Sequence, residues 1–133
     1  MILESPTLLI TDDDRDFRET IREVFEPRGF STYLAGDGVQ ALEIVKRNEI
    51  HLVLMDMHMP QLTGIETINR IRRLRQRLPC ILISGRLDDD IRSRAKDSTF
   101  NVLSKPVSFQ EITSTVNDAL HQTYGWTGPA SGN

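Results

Sequence analysis

The chain has 133 residues, of which 38% are hydrophobic and 26% are charged, and its formal net charge is −3. This profile is typical of one globular domain with a real core, and the negative charge argues against direct nucleic-acid binding by this segment. Cys80 is the only cysteine, which excludes an internal disulfide and favours a reducing compartment. No apolar run approaches the ~18 residues of a membrane span, and residues 1–4 lack a signal peptide's basic region. We therefore expect a soluble cytoplasmic domain without a membrane anchor.

Five short, β-prone apolar runs recur along the chain. They predict buried strands over residues 7–11, 31–35, 51–56, 79–84 and 100–104. Between them, apolar residues recur at the three- and four-residue spacing of a helix. The residues expected to face the core from the second and third helices are Val39, Leu42, Val45, Ile65, Ile68, Ile71 and Leu74. Strands alternating with helices predict an α/β fold, a doubly wound (βα)5 sheet of five parallel strands with helices on both faces.

The third predicted helix is rich in arginine over its later turns. The arginines are Arg70, Arg72, Arg73, Arg75 and Arg77. Cations near the end of a helix suit its dipole, and the lack of interleaved aromatic residues favours a solvated face. A surface that binds a partner is the alternative.

Polar residues stand at the ends of four of the predicted strands. Asp12 and Asp13 follow the first, Asp56 ends the third, Ser84 ends the fourth and Lys105 follows the fifth. Parallel strands bring their carboxyl ends to one edge, and in a 2-1-3-4-5 strand order these side chains converge there. The carboxylates suit Mg²⁺, which would also relieve their repulsion. The lysine and the hydroxyl suit phosphoryl oxygens, so the set predicts phosphoryl transfer onto Asp56 to give an aspartyl phosphate.

Four segments in this order and spacing resemble the receiver domain of two-component response regulators, over about residues 7–122. They read Leu-Leu-Ile-Thr-Asp-Asp-Asp, Leu-Met-Asp-Met-His-Met-Pro with Gly64 following, Leu-Ile-Ser-Gly, and Leu-Ser-Lys-Pro. Each segment alone is a weak signal, whereas the ordered set is specific. The resemblance implies a flavodoxin-like sheet in the order 2-1-3-4-5. It also implies a receiver domain over residues 1–122, with 123–133 as a flexible tail or the start of a linker.

The resemblance also implies a phosphoacceptor switch rather than a conventional enzyme. Asp56 would accept a phosphoryl group from the phosphohistidine of a sensor histidine kinase or a histidine phosphotransfer protein. Asp13, Asp56 and the backbone carbonyl of His58 would hold Mg²⁺, with Mn²⁺ as a possible substitute, and Asp12 would act through water. The phosphorylated state would regulate an output domain or protein that the sequence does not identify.

Further positions carry the family's switch. Ser84 and Lys105 would bind phosphoryl oxygens, movement of Ser84 would transmit the state, and the Lys105–Pro106 peptide bond would be cis. The family usually has an aromatic residue three positions before the lysine, and this chain has Val102 there. Phe100 is a possible replacement, because strand alternation predicts that it shares a face with Val102.

Two positions suit control of dephosphorylation. His58 and Arg86 occupy the second place after the aspartate and the second after the hydroxyl residue, where the family tunes loss of the phosphoryl group. We hypothesise that both side chains cover the phosphoryl group and restrict water, the alternative being that both lie free in solvent.

Other functional classes stay open. A phosphatase of the haloacid dehalogenase type would carry its nucleophile after the first strand, which matches poorly, because Asp56 ends the third. A phosphorylation-independent interaction module that kept the fold is the main alternative. The complete set at the strand ends argues against it, whereas Val102 keeps it open. A homodimer through the fourth helix, last strand and last helix would use the family's usual surface.

Overall fold

Strands and helices alternate along the chain in a computed structural model that describes residues 4–128. The strands are β1 (Thr7–Thr11), β2 (Ser31–Ala35), β3 (Leu52–Asp56), β4 (Cys80–Ser84) and β5 (Asn101–Ser104). The helices are α1 (Arg15–Phe25), α2 (Gly38–Arg47), α3 (Gly64–Leu74), α4 (Asp89–Ala95) and α5 (Phe109–Tyr124), with a 3-10 turn over Glu26–Arg28. Within residues 4–128, no helix has the length and apolar character needed to cross a membrane.

The five strands form one parallel sheet in the order β2-β1-β3-β4-β5. The predicted architecture and strand order are therefore confirmed. Every residue of β3 and β4 is buried, which explains their continuous apolar sequences. The strands share one direction, so all five end at the same edge, here called the carboxyl edge, and begin at the opposite, amino edge. The neighbours β1 and β3 meet at the topological switch point, where doubly wound sheets hold their ligands.

Alternate side chains of each strand supply two cores, one on each face of the sheet. Leu9 and Val53 pack in the core formed with α2, α3 and α4. Leu8 and Leu54 pack in the core formed with α1 and α5. The period-two alternation of a strand produces this division. Truncation of a fully buried core residue such as Leu8 to alanine would cost about 2–5 kcal/mol of stability.

Side-chain caps begin the helices next to the carboxyl edge. Asp14 caps α1 by accepting hydrogen bonds from the N–H groups of Asp16 and Phe17. Thr63 and Glu66 form a reciprocal capping box at the start of α3. Each such cap contributes about 1 kcal/mol. These caps also position the loops that follow β1 and β3.

Two predicted core positions are wrong. Val39 on α2 is 51% exposed and Leu74 on α3 is 43% exposed. Leu74 lies nine positions after the buried Ile65, which at 3.6 residues per turn is two and a half turns, so the two point in opposite directions. On α2 the fully buried Ala41 occupies the inner face in place of Val39.

The packed fold extends past the predicted boundary at residue 122. Helix α5 continues to Tyr124, and Gly125 closes it in the left-handed conformation at φ 71°. Trp126 is buried, and its ring meets Phe30 edge-on with the centroids 5.2 Å apart. The composition of this segment predicted a tail from residue 123, but Gly125 ends a helix and Trp126 joins the core. Residues 129–133 of that prediction lie outside the described residues.

Candidate functional site

The residues predicted at the strand ends lie at the carboxyl edge. Asp12 and Asp56 are almost fully buried, at 1% and 4% exposure, and Asp13 is exposed beside them. One carboxylate oxygen from each of these three residues lies within 4.8 Å of the others. The Nζ of Lys105 lies 3.3 Å from Asp12 Oδ2 and 3.3 Å from Asp56 Oδ1. A buried acidic cluster with one ammonium group therefore marks the switch point of the sheet.

The acidic cluster fits a hard divalent cation. Its donors are three carboxylate oxygens at close range, the ligand type that Mg²⁺ and Mn²⁺ prefer. Lys105 neutralises one of the three negative charges, so two remain uncompensated when all are ionised. The exposure of Asp13 leaves one side open to water, which Mg²⁺ usually retains. The metal-binding role of the His58 backbone carbonyl stays a prediction.

Burial and crowding raise the pKa values of both buried acids. For Asp12, burial is the main cause, and the charge of Asp56 adds to it; a hydrogen bond from the Asp14 N–H and the charge of Lys105 oppose the rise. For Asp56, burial again dominates, with Lys105 opposing it and Asp13 adding to it. The folded protein therefore disfavours these negative charges, and added positive charge at the site would stabilise it.

At Lys105 the neighbouring charges, rather than burial, decide the direction of the pKa shift. Burial alone would lower its pKa, but the Asp12 and Asp56 carboxylates outweigh burial and raise it. Two carboxylates stabilise the charged form of the lysine, whereas a single lysine has to stabilise the charged forms of two carboxylates. Its ammonium also lies 5.0 Å from the centroid of the Phe17 ring, close enough for a cation–π contact. Lys105 is thus held as a charged group beside Asp56.

Two residues that support this site were missed by the sequence analysis. Arg18 donates from Nη1 to the backbone carbonyl of Asp12 at 2.7 Å, and Phe17 lies under Lys105. Both sit in the early turns of α1, directly after the acidic run. The signal available was their position on the first turns of the helix that follows the acidic run, next to the carboxyl edge.

Gly64 allows the loop after β3 to approach the backbone closely. Its N–H donates to the Met57 carbonyl at 2.9 Å. A Cβ at this position would lie 2.4 Å from the Asp56 carbonyl oxygen and 2.8 Å from the Met57 Cα. Any side chain there would displace the backbone that carries Asp56. Glycine is needed here for space rather than for backbone freedom.

The Ser84 hydroxyl is held by a local turn. It donates to the Arg86 carbonyl at 2.9 Å and accepts from the Arg86 N–H at 3.1 Å. It also lies 3.4 Å from His58 Nε2. The His58 ring thus reaches the site, whereas Arg86 contacts Ser84 through its backbone and its side chain is exposed.

The prediction that Phe100 shares a face with Val102 is wrong. Val102 packs with the core of α2, α3 and α4, and Phe100 packs with the core of α1 and α5. The strand β5 begins at Asn101, so Phe100 precedes it and strand alternation does not apply. Phe100 therefore cannot replace the missing aromatic residue on the Val102 face. The predicted cis Lys105–Pro106 bond is present.

The doubly wound parallel sheet with an acidic site at its switch point defines the class of protein, an α/β domain of the receiver type. Comparison with known protein families then identifies the family. The family model of the response regulator receiver domain matches residues 8–117. The chain belongs to this family, whose members act as signalling switches.

Relatives of different lengths match the chain. Response regulator MprA of Mycobacterium sp. (strain KMS) is 32% identical over 125 residues, which cover 93% of this chain and 54% of that protein. The chain thus spans about half the length of this relative. Sporulation initiation phosphotransferase F of Bacillus subtilis (strain 168) is 32% identical over 114 residues, covering 85% of this chain and 92% of that protein.

A solved structure is similar in fold. It is the response regulator protein TrrA from Thermotoga maritima in complex with Mg²⁺-BeF, with a TM-score of 0.78 and 25% identity. The match covers 86% of this chain and 99% of that chain.

Proposed function

We propose that this domain is a phosphoacceptor switch in which Asp56 receives a phosphoryl group from a phosphohistidine, with Mg²⁺ or Mn²⁺ bound. The donor is a sensor histidine kinase or a histidine phosphotransfer protein in the cytoplasm. The observation that carries the proposal is the position of Asp56, buried between the acidic partners Asp12 and Asp13 and the ammonium of Lys105. The similar fold of TrrA, solved with Mg²⁺-BeF, supports it.

In the proposed reaction, an oxygen of the Asp56 carboxylate attacks phosphorus in line with the imidazole nitrogen of the donor. The new P–O bond forms as the P–N bond breaks, and the imidazole keeps the electron pair and takes a proton from solvent. Lys105 attracts a phosphoryl oxygen, and the Ser84 hydroxyl donates to another. The product is an acyl phosphate on Asp56.

Asp12, Asp13 and Asp56 are the residues that would hold the cation, with the His58 carbonyl as a further oxygen ligand. When bound, a divalent cation supplies positive charge that offsets the charge gathered by carboxylates and phosphoryl oxygens. The carboxylates orient that charge beside Asp56, and Asp56 stays ionised as the nucleophile.

Ser84 connects phosphorylation to a change of shape. Its hydroxyl now donates to the Arg86 carbonyl. To donate to a phosphoryl oxygen it must leave that bond, which would rearrange the loop between β4 and α4. This loop adjoins α4 and β5, where an output domain or protein, or a second copy of the chain, would sense the change.

Phosphorylation by a small donor tests the proposal. The protein is incubated with acetyl phosphate and Mg²⁺, and the added phosphate is measured by intact mass. We expect a single addition on the wild type, none on Asp56→Asn, and none when EDTA replaces Mg²⁺. Asp118→Asn, which removes an exposed carboxylate on α5, is the matched control and should be phosphorylated normally.

Val102 stands where the family usually has an aromatic residue, and this departure keeps one alternative function open, an interaction module that works without phosphorylation. If the wild type takes up no phosphate, or if Asp56→Asn takes up as much as the wild type, the phosphoacceptor proposal is wrong. The interaction module would then be the better description.

A further inference from the structure

Three adjoining cavities form a groove at the amino edge of the sheet, at the pole opposite Asp56. Their volumes are 530, 430 and 470 Å³. The first two share Ile50, Arg75 and Tyr124 as walls, and the second and third share Gln76 and Arg77. The groove thus runs from the end of α2, past the end of α3, to the segment that follows α4. We call it the amino-edge groove.

The walls of the amino-edge groove are mainly cationic. The cations are Lys46, Arg47, Arg72, Arg75 and Arg77, and the acids are Glu49 and Asp97. The opposite pole carries the acidic cluster, so the domain has charges of opposite sign at its two poles. This concentration of positive charge stands out in a chain with a net charge of −3, and it would attract an anionic partner.

Some of these cationic side chains already have partners within the domain, and others do not. Arg75 donates to the carbonyl of Val45 at 3.0 Å, which satisfies the end of α2. Lys46 and Arg47 pair with Glu43 at 3.7 and 3.3 Å. Neither Arg72 nor Arg77 forms an ion pair with any of residues 4–128. These two guanidinium groups are therefore free to bind carboxylates from outside the domain.

The base of the groove is apolar. Ile50 and Leu78 line it and are 7% and 4% exposed. Tyr124 also lines it, and its hydroxyl donates inward to the His51 carbonyl at 2.8 Å. The hydroxyl is thus used within the domain. The ring is half-buried and meets His51 edge-on with the centroids 5.7 Å apart, and the part that lines the groove offers a surface for an apolar side chain. A ligand that fits must combine carboxylates with an apolar group.

We propose that the amino-edge groove binds an acidic peptide segment of a partner protein. Its carboxylates pair with Arg72 and Arg77 while an apolar side chain packs on Tyr124. The apolar base, together with Glu49 and Asp97 in the walls, favours a peptide over the uniform phosphate backbone of a nucleic acid. This contact lies at the opposite pole from Asp56 and uses no residue of the proposed phosphoacceptor site.

Binding of a model peptide tests this proposal. The probe is a short fluorescein-labelled peptide of repeated Glu-Glu-Leu, and fluorescence anisotropy measures its affinity for the full chain. The groove variant is R72E/R77E. The matched control is R70E/R73E, which makes the same charge change at exposed positions of α3, the helix that carries Arg72, outside the groove; Arg77 follows the end of that helix. Thermal melting checks that both variants are folded.

We expect the groove variant to bind the peptide about tenfold more weakly than the wild type, because two favourable pairs become repulsive. The control should lose less than about threefold. In amide NMR spectra, the peptide should shift Ile50, Arg77 and Tyr124 and leave Asp56 unchanged. No binding, equal losses in both variants, or peptide-induced shifts centred on Asp56 would overturn the proposal. Tighter binding of a labelled oligothymidylate than of the peptide would also overturn it and would indicate a nucleic-acid site.

Discussion

The Ser84 hydroxyl lies 3.4 Å from Nε2 of His58, so these two side chains meet across the ends of β3 and β4. Ser84 is the residue proposed to bind the phosphoryl group, and His58 occupies a position expected to tune the loss of that group. The contact brings an imidazole to the carboxyl edge that also carries Asp56. The exposed side chain of Arg86 has no such contact with Ser84, which is bound by the Arg86 backbone instead.

His58→Ala should therefore shorten the lifetime of phosphorylated Asp56. We expect about a fivefold faster loss, which corresponds to about 1 kcal/mol of barrier, because water gains access where the ring stood. Arg86→Ala should change the rate much less, because only the Arg86 backbone contacts Ser84, whereas the His58 ring contacts it directly. The measurement is the decay of phosphoprotein after the donor is removed. Equal rates for His58→Ala and the wild type would show that the imidazole does not shield the site.

Asp12→Asn should stabilise the protein in EDTA. Burial and the Asp56 charge raise the pKa of Asp12, so its ionised form opposes folding. The amide removes that charge and can still accept from the Asp14 N–H. We expect a gain of about 1 kcal/mol, or about 4 °C in Tm. Mg²⁺ should then raise the Tm of the wild type more than that of the variant. A lower Tm in EDTA, or an equal response to Mg²⁺, would contradict the account of the acidic cluster.

Gly64→Ala should destabilise the protein and impair phosphorylation together. The new Cβ would meet backbone atoms at 2.4 and 2.8 Å, and neither can move without moving Asp56. We expect a loss of about 2–3 kcal/mol, as for overpacking in a core. Gly85→Ala is the control, because nothing lies within 4 Å of a Cβ at that position. Urea unfolding and acetyl phosphate uptake are the measurements. Similar losses in both variants would mean that crowding at Gly64 is not the cause.

Stability should fall with decreasing pH because of His51. Burial lowers the pKa of His51, and the nearby Glu49 only partly opposes this. The unfolded chain therefore binds a proton below about pH 6.5 that the folded protein resists, so the free energy of unfolding falls as the pH drops from there to the folded pKa. At high pH the neutral ring accepts from the Thr7 N–H at 2.9 Å.

His51→Asn provides the comparison. Asparagine can still accept from Thr7 but does not titrate, so its free energy of unfolding should fall less than that of the wild type between about pH 7.5 and 5.5. Urea unfolding at both values gives the difference, in which the carboxylates common to both proteins cancel. Parallel pH profiles would mean that His51 does not set this dependence.

Much of the fold and the composition of the site could be predicted from the sequence because their signals are local. A buried parallel strand needs a continuous apolar run, and β3 and β4 show one. The polar residues that end such strands must lie at one edge once the strands are parallel. For this reason Asp56 and Lys105 could be assigned to one site although they are far apart in the chain.

Other features required the tertiary structure, since they depend on how elements meet. Phe100 and Val102 are two residues apart, yet they pack in different cores because β5 begins between them. Trp126 stands in a glycine-rich segment, yet it is buried in the core formed with α1 and α5, where its ring meets Phe30.

The sequence by itself determined the sheet, its polar strand ends and the acidic, hydroxyl and lysine groups of the Asp56 site, because each follows from short-range patterns. Only the tertiary structure decided the contact of His58 with Ser84 and the cation–π contact of Phe17 with Lys105. It also decided that cations from α2 and α3 line one groove with Tyr124. These relations join residues from separate elements, and their distances are set by packing rather than by spacing along the chain.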